Sequence, residues 1–102
     1  MNDIREIKSK LLSGMMVVTR GGDRYLVLRN TGMKETDITG LDLLIGIRGN
    51  VVGKYGWMNL QDYDKDLRYS DDCYSIQAIY APRYASEICD FKKYKEIWNR
   101  EN

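Results

Sequence analysis

The stretch "MMVVTRGGDRYLVLRN", residues 15–30, constrains the fold more than any other part of the chain. Two runs rich in β-branched and aromatic residues flank Gly21, Gly22 and Asp23, the short-range signature of an antiparallel hairpin. In the second run Tyr25 and Val27 face one way, while Leu26 and Leu28 face the other. Both faces are apolar, so the strand is expected to be covered on both sides over part of its length.

The same kind of signal recurs further on. "LDLLIGIRGNVVGKYGW" predicts a second strand pair turning at Gly49 and Asn50, and its glycines at 46, 49, 53 and 56 point to bulges or sharp bends. "CYSIQAIYAP" alternates as a last strand, with Ile76, Ala78 and Tyr80 on one face and Pro82 ending it. Between these runs, residues 30–40 are polar and turn-rich and read as a long surface loop.

Helical spacing appears at both ends. Ile4, Ile7, Leu11 and Leu12 share one helical face, with Asn2 or Asp3 as cap and Gly14 as stop, which predicts an N-terminal helix over 1–13. Ile88, Phe91, Tyr94 or Lys95, and Trp98 predict a C-terminal helix over 86–100, capped at Ser86. At 102 residues the chain is one domain. The expected fold class is mainly β with flanking helices (α+β): a small SH3-like β-barrel over 15–81, with a short helix at each end. A split α+β sheet is the competing architecture.

Charge and residue types narrow the chemistry. The net charge of +1 gives no overall pull toward DNA or membranes. Locally, residues 1–34 carry seven basic and three acidic side chains, and residues 35–72 carry four and eight, so a basic and an acidic face can coexist. The chain has no histidine, which removes serine–histidine catalysis and leaves acid–base work to strongly shifted groups. A non-enzyme without a cofactor is expected. Cys73 and Cys89 lack the spacing of a metal or redox pair and read as buried thiols in a reducing cytoplasm. No apolar run approaches the roughly 20 residues of a membrane span, and no signal-peptide core precedes the first strand. The expectation is a cytoplasmic protein with no membrane partner.

Three groups of residues are candidate contacts. "DYDKDLRYSDD" places Asp62, Asp64 and Asp66 on alternate positions, as a calcium loop does. Counting from Asp62, however, the required glycine at position 6 is Leu67 and the bidentate glutamate at position 12 is Cys73, so the EF-hand reading fails. An acidic turn is expected instead, pinned by Tyr63, Leu67 and Tyr69 with its aspartates in water. The arginines Arg20, Arg24 and Arg29 straddle the first hairpin, where guanidinium forks suit phosphate or carboxylate; the alternative is solvation of a sheet edge. Eight tyrosines and two tryptophans are many for this length. Tyr25, Tyr80, Phe91 and Trp98 fit core positions. Tyr55 and Trp57, close to Arg48 and Lys54, can stack on a base or fill a partner's pocket, or simply staple loops to the barrel. Gly46-Ile47-Arg48-Gly49 matches the GxxG of KH domains in letters but lacks the flanking helices that motif needs.

The order of segments carries a resemblance. "LLSGMMVVTRGGDRYLVL", then "GW" before "LQDYDKDL", then "SIQAIYAP" and a terminal "EIWNREN" resemble a group of small phage and prophage proteins of Gram-positive bacteria. In that group an "LKxGMVVETRNGxRYLVL"-like hairpin is followed by "L..YDxDL", a "DIxKVY"-like strand and a closing "IWxR". The similarity spans roughly residues 7–100. It implies an SH3-like barrel and a phage origin, and it brings no agreed activity from which a catalytic residue could be carried over. This chain departs in its longer loop at 30–40 and in Ser75, which stands where the group has an aspartate. The setting implies a binding protein that counteracts host defence. It would contact a host defence protein such as a CRISPR effector through the acidic face, or sequester a small nucleotide signal through the arginines. The alternatives are an SH3-like nucleic-acid-binding accessory module and a homo-oligomeric structural phage protein.

Overall fold

The computed structural model describes residues 4–29 and 42–101. It is mainly β. Six strands run β1 (Met16–Thr19), β2 (Arg24–Leu28), β3 (Leu43–Arg48), β4 (Val51–Asn59), β5 (Ile76–Ala81) and β6 (Lys95–Asn99). They form one antiparallel sheet in the order β4-β3-β2-β1-β5-β6. The sheet is open, with β4 and β6 as its edges, so the strands over 15–81 do not close into the expected barrel.

The first hairpin lies where the glycine pair places it. Gly22 takes a φ of +96°, and the Asp23 amide donates to Thr19 Oγ1 at 3.0 Å, so a glycine and a β-branched hydroxyl residue together close the turn. The second turn is made by Gly49 at φ +62°. Along β3 and β4 the register then jumps: Ile45 faces Trp57 and Ile47 faces Val52, so residues 53–56 stand opposite Gly46 alone. Gly53 and Gly56, at φ +89° and +98°, bracket this bulge, as the glycine spacing predicts.

Both sheet faces are covered, which is why β2 is apolar on both. Val17, Val27 and Leu44 point to one face, beneath Ile7 and Leu11 from the N-terminal segment and Leu60, Tyr63 and Leu67 from the segment after β4. Met16, Leu26 and Ile47 point to the other, beneath Phe91 and Tyr94. Each such aliphatic side chain contributes about 1.5–3 kcal/mol on leaving water. The bulge at Gln77, where Val18 faces Ala78 but Thr19 faces Ile76, turns Ile76 into the first cluster. Ile76 therefore does not share a face with Ala78 and Tyr80, as simple alternation predicted.

The two flanking helices are corrected. The N-terminal segment Ile4–Lys10 is a 3-10 helix kinked at Glu6 (φ −109°, ψ 29°), not an α-helix; it buries Ile7 and Leu11 but leaves Leu12 exposed. The segment 86–100 is not a helix. It consists of 3-10 turns at Ala85–Glu87 and Phe91–Lys93, followed by β6. Cys89 takes a φ of +70°, which no continuous right-handed helix accommodates. The apolar residues there serve opposite faces: Phe91 and Tyr94 seal the second cluster, while Trp98 packs against the first.

Candidate functional site: a groove between two turn tips

Because Arg24 pairs with Ile47, the β1–β2 turn and the β3–β4 turn meet at one end of the sheet. Between them lies an open groove of about 390 Å³, lined by Gly22, Asp23, Arg24, Tyr25, Gly46, Ile47, Arg48 and Gly49. Gly46 faces Tyr25 across the strands and adds no side chain to the groove beside the tyrosine. Arg24 Nη2 donates to the Gly49 carbonyl at 2.9 Å on the exposed rim, and this bond ties the two turns together. Tyr25 is half-buried, and burial, reinforced by Asp23, raises its phenol above the ordinary value. It stays a neutral hydrogen-bonding ring at physiological pH.

The structure separates the three hairpin arginines. Only Arg24 reaches the groove. Arg20 lies 3.5 Å from Asp72 in an exposed ion pair. Arg29, beyond the far end of β2, spans about 17 Å of strand from Arg24. It donates to the Lys8 and Leu11 carbonyls at 3.1 and 2.8 Å and pairs with Asp42 at 3.0 Å, so it anchors the N-terminal segment. Arg48, counted with the loop aromatics by sequence, joins Arg24 instead.

Trp57 lies on edge strand β4, 58 % exposed, directly opposite Ile45. Tyr55 is on the bulge of the same strand, and its side chain is outside the described residues. The loop 30–40 also lies outside them.

The acidic segment is tied into the fold. Asp64 Oδ1 accepts from the Asp66 and Arg68 amides, both at 2.9 Å, and Asp71 Oδ1 accepts from the Cys73 amide at 3.2 Å. Asp66 pairs with Arg68 at 3.1 Å and Arg100 at 3.6 Å. Tyr63 and Leu67 are buried and Asp62 and Asp64 are exposed, so the segment is pinned by the residues the sequence names for that role. The Tyr63 hydroxyl donates to the Tyr74 carbonyl at 2.7 Å. No group of three or more histidine, cysteine, aspartate or glutamate side chains converges among the described residues.

The cysteines are not buried thiols; both are free and exposed. Cys73 Sγ is pushed up by its hydrogen bond to Asp71 and then by slight desolvation, away from thiolate chemistry.

Two organising residues carry no chemical motif. Arg100 donates from Nε to the Ile76 carbonyl and from Nη2 to the Asp66 carbonyl, each at 2.9 Å, and stacks over Trp98 at 5.1 Å. Tyr94 bridges Gly14 and Cys89. Arg100 lies in the terminal "EIWNREN" stretch.

No protein-family model, curated protein or solved structure matches the chain. Among the described residues, no helix is long and apolar enough to cross a membrane.

Proposed function

We propose that this is a non-enzymatic binding protein of phage origin that counteracts a host defence, working in the host cytoplasm through the groove between its two turn tips. The observation that carries the reading is a groove whose lining includes both Arg24 and Arg48, together with Gly46. Guanidinium forks suit recognition of an anionic group and supply no nucleophile or base. The strand arrangement, a β1–β4 meander with β5 returned beside β1, supports kinship with SH3-like barrels, here with an added sixth strand.

Of the two modes of counter-defence, sequestration of a small nucleotide signal is better supported than imitation of nucleic-acid phosphates. A mimic presents unmatched negative charge. Here Asp66 and Asp72 are matched by Arg100, Arg68 and Arg20, and Asp64 and Asp71 accept bonds from their own turns. A nucleic-acid-binding module has less support, since Arg20 and Arg29 are engaged within the fold.

One observation favours self-association as a second reading. Edge strand β4 exposes Trp57 at 58 % and Val51 at 48 %, and an apolar edge invites pairing between copies.

Capture from host lysate, with mass spectrometry of both proteins and co-purifying nucleotides, tests the proposal. The expected result is a captured component that is lost with Arg24→Ala plus Arg48→Ala and retained with Asp64→Asn plus Asp66→Asn. The reverse pattern restores the mimic, and turnover of a captured nucleotide makes the chain an enzyme.

A further inference from the structure

We infer that the groove takes a mononucleotide-sized phosphate ester, a ligand that joins an anionic group to a hydroxyl-bearing, flat remainder. This rests on the reading of the chain as a binding protein and names its ligand by chemistry. The volume of about 390 Å³ falls at the small end of the range of roughly 300–1,000 Å³ typical of ligand pockets. Its lining has one aliphatic residue, Ile47, whose side chain is buried in the second cluster, against two arginines, an aspartate, a tyrosine and three glycines, so the ligand that fits is polar.

Each part of that lining matches a part of such an ester. Arg24 now spends one donor on a neutral carbonyl, Gly49 O, at an exposed rim. A guanidinium has five N–H donors, and a charge-assisted bond to phosphate is roughly twice as strong as a neutral one. Arg24 can therefore keep or exchange the Gly49 bond while gaining the phosphate, with Arg48 as the second cation of the lining. Gly46, lacking a side chain, lets a flat ring approach the backbone beside Tyr25. Asp23, exposed at the same rim, supplies an acceptor for a hydroxyl or an exocyclic amine. Inorganic phosphate lacks the hydroxyl and the ring that these groups would hold, so the groove is expected to prefer the ester to inorganic phosphate.

The test is a titration of the ¹⁵N-labelled full chain with AMP, adenosine and inorganic phosphate, followed through the Gly22, Gly46 and Gly49 amides. The expected result is saturable shifts with AMP confined to the groove, with adenosine and inorganic phosphate each at least about tenfold weaker. Arg24→Ala and Arg48→Ala, shown to be folded by their unchanged remaining amides, each weaken AMP by about tenfold, equivalent to ~1.4 kcal/mol. If Arg24→Ala disturbs the turns, Arg48→Ala alone carries the comparison. Asp23→Asn narrows the gap between AMP and inorganic phosphate. Equal binding of adenosine and AMP overturns the assignment, as do shifts centred away from the groove. If all three probes leave the groove unshifted while the lysate experiment still captures a host protein through Arg24 and Arg48, the nucleotide assignment falls and the binding-protein reading survives.

Discussion

The Tyr94 hydroxyl donates to the carbonyl of Gly14 at 2.6 Å, joining points 80 residues apart, and accepts from the Cys89 amide at 2.9 Å. One buried phenol thus fastens the segment after β5 to the entry of β1. Burial raises its ionisation above the ordinary value. Tyr94→Phe keeps the ring against Phe91 but leaves the Gly14 carbonyl without this donor, at a cost of about 1–3 kcal/mol. Urea unfolding checks this, with a lowered midpoint at unchanged slope as the expected outcome.

Arg100 is the larger anchor. Its side chain is 11 % exposed, and its donors hold the carbonyls of Ile76 and Asp66. Burial, with Arg68 nearby, lowers its ionisation from the usual value, the sign of a cation held partly out of water. Arg100→Ala is expected to cost about 3 kcal/mol, the scale of hydrogen bonds made by a charged group. Arg100→Lys recovers less than half of that, because an ammonium cannot span both carbonyls as a planar fork does. Thermal and urea unfolding of both variants give the comparison.

Asp64 is expected to act through its oxygen and not through its charge. Asn at this position keeps the acceptor for the Asp66 and Arg68 amides and leaves stability within about 0.5 kcal/mol, whereas Ala removes it and costs ~1 kcal/mol. Equal losses for Asp64→Asn and Asp64→Ala in urea unfolding contradict this role.

Alkaline pH should unfold the protein through its buried phenols. Burial, more than the neighbouring Tyr25, Tyr69, Tyr74 and Asp62, pushes the Tyr63 phenol far above its ordinary value of 10.0, and Tyr94 moves the same way. A raised folded-state value means that the native state holds the proton more tightly than the unfolded chain does. That stabilisation is complete below pH ~10 and is lost as pH climbs from there toward the folded-state values. The expected outcome is a urea midpoint that falls steeply above pH ~10, and less steeply in Tyr63→Phe. Tyrosinate absorbance that rises smoothly for every tyrosine while the chain stays folded would contradict this.

Gly14 sits at φ +97°, with Ile88 3.6 Å from the position of an added Cβ. Space is adequate but the backbone region is not, so Gly14→Ala is expected to cost about 1–2 kcal/mol from backbone strain alone. Calorimetry on this variant separates strain from packing, since only the former predicts little relief from Ile88→Ala in the same chain.

What was legible in the sequence follows from the range of the interactions involved. The Gly21-Gly22 turn, the Gly49 turn and the Gly53–Gly56 bulge are local conformational demands, and each lies where its glycine spacing places it. The two-faced apolar pattern of β2 announced cover on both sides. The C-terminal segment misled because Phe91, Tyr94 and Trp98 recur at helical intervals while their partners lie on opposite faces of a sheet assembled from distant residues. Pairing of Ile79 with Trp98 overrides that periodicity. The site was half legible for the same reason. Arg24 and Arg48 are 24 positions apart and meet only through the β2–β3 register, whereas Arg20 and Arg29, neighbours of Arg24 in sequence, are directed elsewhere by Asp72 and Asp42.

Every placement above, the groove included, depends on a sheet whose last strand is 95–99. Cross-strand nuclear Overhauser contacts on the labelled chain address that directly. The account predicts backbone contacts between Trp98 and Ile79 and between Tyr25 and Gly46, with extended couplings through Lys95–Asn99. Helical i to i+3 contacts running through residues 86–100, with no Trp98–Ile79 contact, would contradict it.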